Sequence, residues 1–65
     1  MSVSKIKIAR VEIGLTQQEL ANIVNVTRPT ISLIESNKYN PSLKLCIYIA
    51  KTLDECLDKL FWEEL

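Results

Sequence analysis

The chain has 65 residues, 48% of them hydrophobic, with one Gly, two Pro, two Cys and no His, and its 8 basic and 8 acidic side chains cancel to a net charge of zero. That length allows one domain on a small core, and so little Gly and Pro disfavours both a disordered chain and a strand-rich fold of many tight turns. Without histidine, and with Cys46 and Cys56 ten residues apart and outside any CxxC spacing, neither enzyme chemistry, a metal centre nor a cofactor is expected, and the two thiols read as reduced and at least half buried.

Ser4 is placed to cap a first helix through Ile13, with Gly14 supplying the left-handed residue that ends it. Ile6, Ala9, Arg10 and Ile13 share one face, while Ile8 and Val11 leave apolar surface for the rest of the fold to cover. Thr16-Gln17-Gln18-Glu19 reads as a capping box that starts a second helix, Gln17 to Val24, with Leu20, Ala21 and Val24 inward. Asn25 then turns the chain, since asparagine tolerates the left-handed region better than other non-glycine residues. Thr27 is predicted to cap a third helix to about Ser36, with Ile31 and Ile34 inward and Pro29 in its first turn. The residue before a proline resists helical angles, so Arg28 is the alternative cap.

Ser36 to Pro41 is a polar loop, and Ser42 starts a fourth helix to Leu53 with Leu43, Cys46, Ile49, Ala50 and Leu53 inward. A short fifth helix returns Leu57, Leu60 and Phe61 to the core. Trp62 to Leu65 either extend it or run as a short strand beside Met1–Val3. The expected fold class is all-α: one domain over residues 1–65, five short helices in a bundle, with a terminal strand pair as the one addition. No apolar run approaches the roughly 18 residues of a membrane span, and the start lacks a signal peptide's apolar stretch. A soluble, cytoplasmic protein is expected.

Two short helices joined by a bend of about three residues form a helix-turn-helix over residues 17–36. Each position in it has its own demand. Ala21 must be small where the helices cross, Asn25 must accept the turn, and Val26, Ile31 and Ile34 must be apolar to seat the second helix. With LTQQELA (15–21), Val26-Thr27-Arg28, TISLIE (30–35), NPSL (40–43), IAKTL (49–53) and LDKLF (57–61) in this order, residues 5–61 resemble the phage-repressor and Cro-like family, also called the Xre family. The resemblance implies a five-helix, lambda-repressor-like domain that places its third helix in the DNA major groove while its second crosses the backbone. It further implies dimers on two half-sites about one helical turn, roughly 34 Å, apart.

Roles for particular residues follow from that resemblance. Arg28 becomes the base reader, its guanidinium suited to guanine O6 and N7 for about 1–3 kcal/mol of discrimination; a phosphate contact is the alternative. Pro29, Ser32 and Leu33 share its exposed face, and Pro29 and Leu33 suit a thymine methyl. Leu33 departs from the family, which often carries a polar or basic residue there, and it also suits a protein interface. Gln17 is either a phosphate contact at a helix N-terminus or a solvated first-turn side chain. Thr27, Asn37, Lys38, Tyr39, Asn40 and Lys44 are expected to flank the groove and hold backbone, the lysines most strongly because their charge releases counterions. Arg10 and Glu35 are implied to pair across the first and third helices. Relatives commonly place a small turn residue, an apolar residue and a Ser or Thr cap after the fourth helix. Here Asp54, Glu55 and Cys56 stand instead, so Asp54 is expected to replace the cap and Cys56 to be partly exposed.

The neutral total hides a division of charge. Residues 1–53 carry seven basic and three acidic side chains, a net +4, and residues 54–65 carry one and five, a net −4. A basic body suits double-stranded DNA. The expected function is a homodimeric, sequence-specific transcriptional repressor acting on an inverted-repeat operator. Leu45, Ile47, Tyr48, Phe61, Trp62 and Leu65 are the apolar side chains least used by the predicted core and hence the candidates for self-association. Alternatively, Trp62 folds back over Ile8 and Val11. A protein-binding module, such as the antitoxin of a toxin–antitoxin pair, is the second reading, favoured by Leu33 and the acidic tail.

Overall fold

The computed structural model describes residues 4–61, which form α1 (Lys5–Glu12), α2 (Gln17–Val24), α3 (Arg28–Glu35), α4 (Leu43–Leu53) and α5 (Leu57–Phe61), with no strand among the described residues. The predicted strand pair of Met1–Val3 with Trp62–Leu65 lies outside them.

Local side-chain chemistry starts most of these helices. Ser4 Oγ accepts from the Lys7 amide. At α2 the capping box closes in both directions, with Thr16 Oγ1 accepting from the Glu19 amide at 3.0 Å and Glu19 Oε1 accepting from the Thr16 amide at 2.9 Å. Asn25 takes φ 62°, ψ 47°, and the Val26 amide reaches back to the Ala21 carbonyl at 2.9 Å, which turns the chain without glycine. Thr27 bounds α3 through its carbonyl, which accepts from the Thr30 and Ile31 amides; its hydroxyl bonds to Thr30 Oγ1 instead of a backbone amide. Arg28 is thus the first helical residue and not the cap. Ser42 Oγ accepts from the Leu45 amide at 3.2 Å to start α4.

α2 packs most extensively on α3 and also meets α4, while α1 rests on α3 and α5. Leu20, Ala21, Ile31 and Ile49 are fully buried at the centre, with Ile6, Ala9, Val24, Ile34, Leu45, Ala50, Leu53, Leu60 and Phe61 around them. Ala21 fits the close crossing of α2 and α3 because it has no side chain beyond Cβ to displace the partner helix.

Five sequence expectations are corrected. Ile13 is half exposed because α1 stops at Glu12 and Ile13 leaves helical geometry at φ −93°, ψ 3°. Leu43 is 70% exposed, since it falls at the margin of the buried arc in the first turn of α4. Leu45, expected at a self-association surface, is buried on the side where α2 covers α4, in the groove that Val24 and Val26 also line. Phe61 likewise belongs to the core and not to an open interface. Asp54, expected to cap α5, adopts φ 54°, ψ 44° and ends α4 instead, with the Glu55 amide returning to the Ala50 carbonyl at 3.0 Å.

Candidate nucleic-acid interface

The face of α3 opposite its core residues Ile31, Ile34 and Glu35 carries Arg28, Pro29, Ser32 and Leu33, at positions i, i+1, i+4 and i+5. Arg28 and Pro29 are exposed, Ser32 is half buried, and Leu33 is 42% exposed. The first turn of α3 holds no acidic side chain, so the positive end of the helix and the Arg28 guanidinium act together on any anion brought near. Past the C-terminus of α3, Asn37 takes φ 59° and the Lys38 amide returns to the Leu33 carbonyl at 2.9 Å, which turns the chain into an exposed run of Lys38, Tyr39 and Asn40. Lys44 stands exposed in the first turn of α4, its ammonium 5.8 Å from the centre of the Tyr48 ring.

Behind this face lies a polar chain buried in its inner part. Arg10 Nε donates to Glu35 Oε2 at 2.7 Å, Arg10 Nη2 to Glu35 Oε1 at 3.2 Å, and Arg10 Nη1 to the Leu15 carbonyl at 2.6 Å. The pair implied across α1 and α3 therefore forms, with the two side chains 9% and 4% exposed. Gln17 extends it outward, Nε2 donating to Glu35 Oε1 at 3.1 Å while Oε1 accepts from Arg28 Nη1 at 3.2 Å. Sequence reasoning missed this link, taking Gln17 for a phosphate contact or a solvated side chain. The residues are 18 positions apart on different helices, and no local pattern joins them.

Among the proposed self-association residues, Tyr48 is 45% exposed, whereas Trp62 and Leu65 fall outside the described residues. Cys46 is half buried against the core, its thiol pushed up by burial, and Cys56 is exposed. No helix among the described residues is long and apolar enough to cross a membrane.

The helix-turn-helix family profile matches residues 6–60, from the second residue of α1 to the next-to-last residue of α5. This chain belongs to the Cro/C1-type, Xre-like helix-turn-helix family. It is 43% identical over 58 residues to an uncharacterized HTH-type transcriptional regulator of Archaeoglobus fulgidus, covering 89% of this chain and 83% of that one. It is 38% identical over 61 residues to the uncharacterized HTH-type transcriptional regulator YgzD of Bacillus subtilis, covering 94% of this chain and 92% of the relative. An uncharacterized HTH-type transcriptional regulator of Methanothermobacter thermautotrophicus is 54% identical over 44 residues, 68% of this chain and 64% of its own length.

Proposed function

We propose that this protein is a cytoplasmic transcriptional repressor that binds an inverted-repeat operator in double-stranded DNA as a homodimer, with α3 in the major groove. Membership of the helix-turn-helix family and relatives named as transcriptional regulators support the coarser part, a DNA-binding regulator of transcription. The observation that supports α3 as the reading helix is the exposed Arg28 at its N-terminus, on a face shared with Pro29, Ser32 and Leu33. In this reading Arg28 reads guanine, Ser32 bonds a base edge, and Pro29 and Leu33 meet thymine methyl groups. Thr27, Asn37, Lys38, Tyr39, Asn40 and Lys44 hold the backbone on either side, while Tyr48 serves self-association.

The test is binding of the purified protein to fragmented genomic DNA of its source, repeated over a salt series. Recovery of a few fragments sharing an inverted repeat, with affinity falling steeply as salt rises, is the expected result. Uniform weak retention of all fragments, or none, refutes the proposal.

A second reading, a module that binds another protein, is favoured by Leu33, an apolar side chain 42% exposed in the middle of the candidate reading face. It requires a stoichiometric protein partner in an affinity pull-down from the native cell, and repression alone does not.

A further inference from the structure

We infer that the centre of the α3 reading face recognises a pyrimidine C5-methyl group and not the base that carries it. 5-Methylcytosine paired with guanine then takes the place of thymine paired with adenine, and cytosine methylation strengthens binding where plain cytosine stands. The inference rests on the proposal that α3 lies in the major groove, and it names the chemistry that this part of the face selects. At about 3.6 residues per turn, the four positions of the face fall into two columns. Arg28 and Ser32 form a polar column. Pro29 and Leu33 form an apolar one, with Cβ atoms roughly 6 Å apart. With Ile31, Ile34 and Glu35 buried on the other side, the apolar column points most directly away from the core.

Neither residue of that column offers a hydrogen bond to a base. Both side chains are hydrocarbon, and Pro29 has no amide proton. The Leu33 carbonyl already accepts from the Lys38 amide at 2.9 Å and the Ser36 hydroxyl at 3.2 Å. Such a surface responds to an apolar group in the groove. Thymine presents O4 and a C5-methyl there, whereas cytosine presents its N4 amino group and only a hydrogen at C5. Methylation of cytosine at C5 puts the same methyl group on the same edge. Ser32, beside the column, both donates and accepts through its hydroxyl, so it tolerates either O4 or an amino group. A protein partner is less well supported by this surface. Leu33 is 42% exposed and the column is two side chains long, far short of the roughly 800 Å² that a stable protein interface buries on each side. A methyl group needs only one such contact. Arg28 beside Pro29, in a first turn with no acidic side chain, also favours a polyanion.

The experiment selects the full chain on randomised duplex DNA, with wild type, L33A and P29A compared and each checked by thermal melting. Binding is then measured to the selected duplex and to versions altered at each thymine in turn. There the thymine becomes uracil, or its pair becomes 5-methylcytosine with guanine or cytosine with guanine. Both replaced side chains are exposed, and either variant can be read if the other misfolds. At a thymine whose preference L33A or P29A loses, uracil and cytosine are each expected to weaken wild-type binding about fourfold, the worth of one buried methyl group. 5-Methylcytosine is expected to stay within about twofold of thymine, and the variant to bring all four duplexes within about twofold of one another. A selected site with no such thymine overturns the inference, as does wild-type binding that ranks 5-methylcytosine with cytosine or is unmoved by uracil. A methyl effect that both variants leave intact also overturns it, because the effect then arises from the shape of the DNA. Absence of any sequence-selective binding by wild type is a different result, which refutes the placement of α3 in the major groove and the inference with it.

Discussion

Replacing Glu35 by alanine removes a carboxylate that accepts two bonds from Arg10 and one from Gln17, and it leaves the Arg10 guanidinium in a site where the residue is 7% exposed. The Leu15 carbonyl at 2.6 Å remains as a partner, so Arg10 keeps one of three bonds and the charge loses its counterion. Breaking a buried pair from one side costs about 3–5 kcal/mol, and the surviving bond places this case near the lower end, about 3 kcal/mol. A chain of this length has a total stability of roughly 3–10 kcal/mol. At about 4–8 °C per kcal/mol for a domain this small, E35A is expected to melt at least about 12 °C below wild type. The double variant Arg10→Met, Glu35→Leu, which strands no charge, is expected to recover most of the loss. Urea unfolding followed by circular dichroism measures both, with the slope of the transition checked for two-state behaviour. An E35A protein within about 1 kcal/mol of wild type would refute the reasoning, because a buried guanidinium without its carboxylate would then be tolerated.

The other expectations follow from positions where structure and sequence pattern disagree or where one residue carries a turn. Leu45→Ala is expected to cost about 2–5 kcal/mol as a core truncation, while Leu43→Ser, two positions away on the same helix, stays within about 0.5 kcal/mol. Chemical denaturation of the two variants side by side tests the assignment of the buried arc. Asn25→Ala is expected to lose about 1 kcal/mol because φ 62° is strained for a Cβ without asparagine's local polar contacts, and Asn25→Gly to be close to neutral. Equal stability of the two would contradict a left-handed turn. Burial raises the Cys46 thiol, so the neutral form is favoured in the fold and the unfolded chain releases its proton first. That contribution to stability is complete below the ordinary thiol range and is lost as pH climbs through the raised folded value; Cys46→Ala is expected to flatten the alkaline decline. In mass-spectrometric footprinting with iodoacetamide at neutral pH, Cys56 is expected to be labelled well before Cys46.

The features legible in the sequence were those in which a side chain serves the backbone a few residues away. Ser4, Thr16 with Glu19, Asn25 and Ser42 each satisfy or redirect amides within one turn, so spacing alone announces them. Projection onto an ideal helix did less well at the ends of elements. It carried Ile13 past the point where α1 stops, and it did not show that α2 would cover Leu45 and leave Leu43 open. Asp54 was misread because an aspartate near a helix boundary can cap the helix that follows or turn the chain out of the one before. Only the backbone angle distinguishes the two. The Arg10–Glu35 pair spans 25 positions and became visible through family resemblance, not from any property of the two residues. The Gln17–Glu35 bond had no such guide.

The polarity of the chain behind α3 also limits which residues can replace Arg28. Gln17 presents its oxygen outward as long as Glu35 holds its nitrogen, so residue 28 must supply a donor. Glutamine can do so and still present an amide to adenine N6 and N7, whereas glutamate, the side chain suited to cytosine N4, would set acceptor against acceptor. Arg28→Gln is therefore expected to move the preference from guanine to adenine at one base pair, with affinity for its new best site within about tenfold of wild type. Arg28→Glu is expected to lose discrimination there instead of acquiring cytosine. Selection on randomised duplexes decides between these outcomes. A clean switch to cytosine in Arg28→Glu would mean that Gln17 turns freely, and hence that Glu35 secures the fold without setting the base that is read.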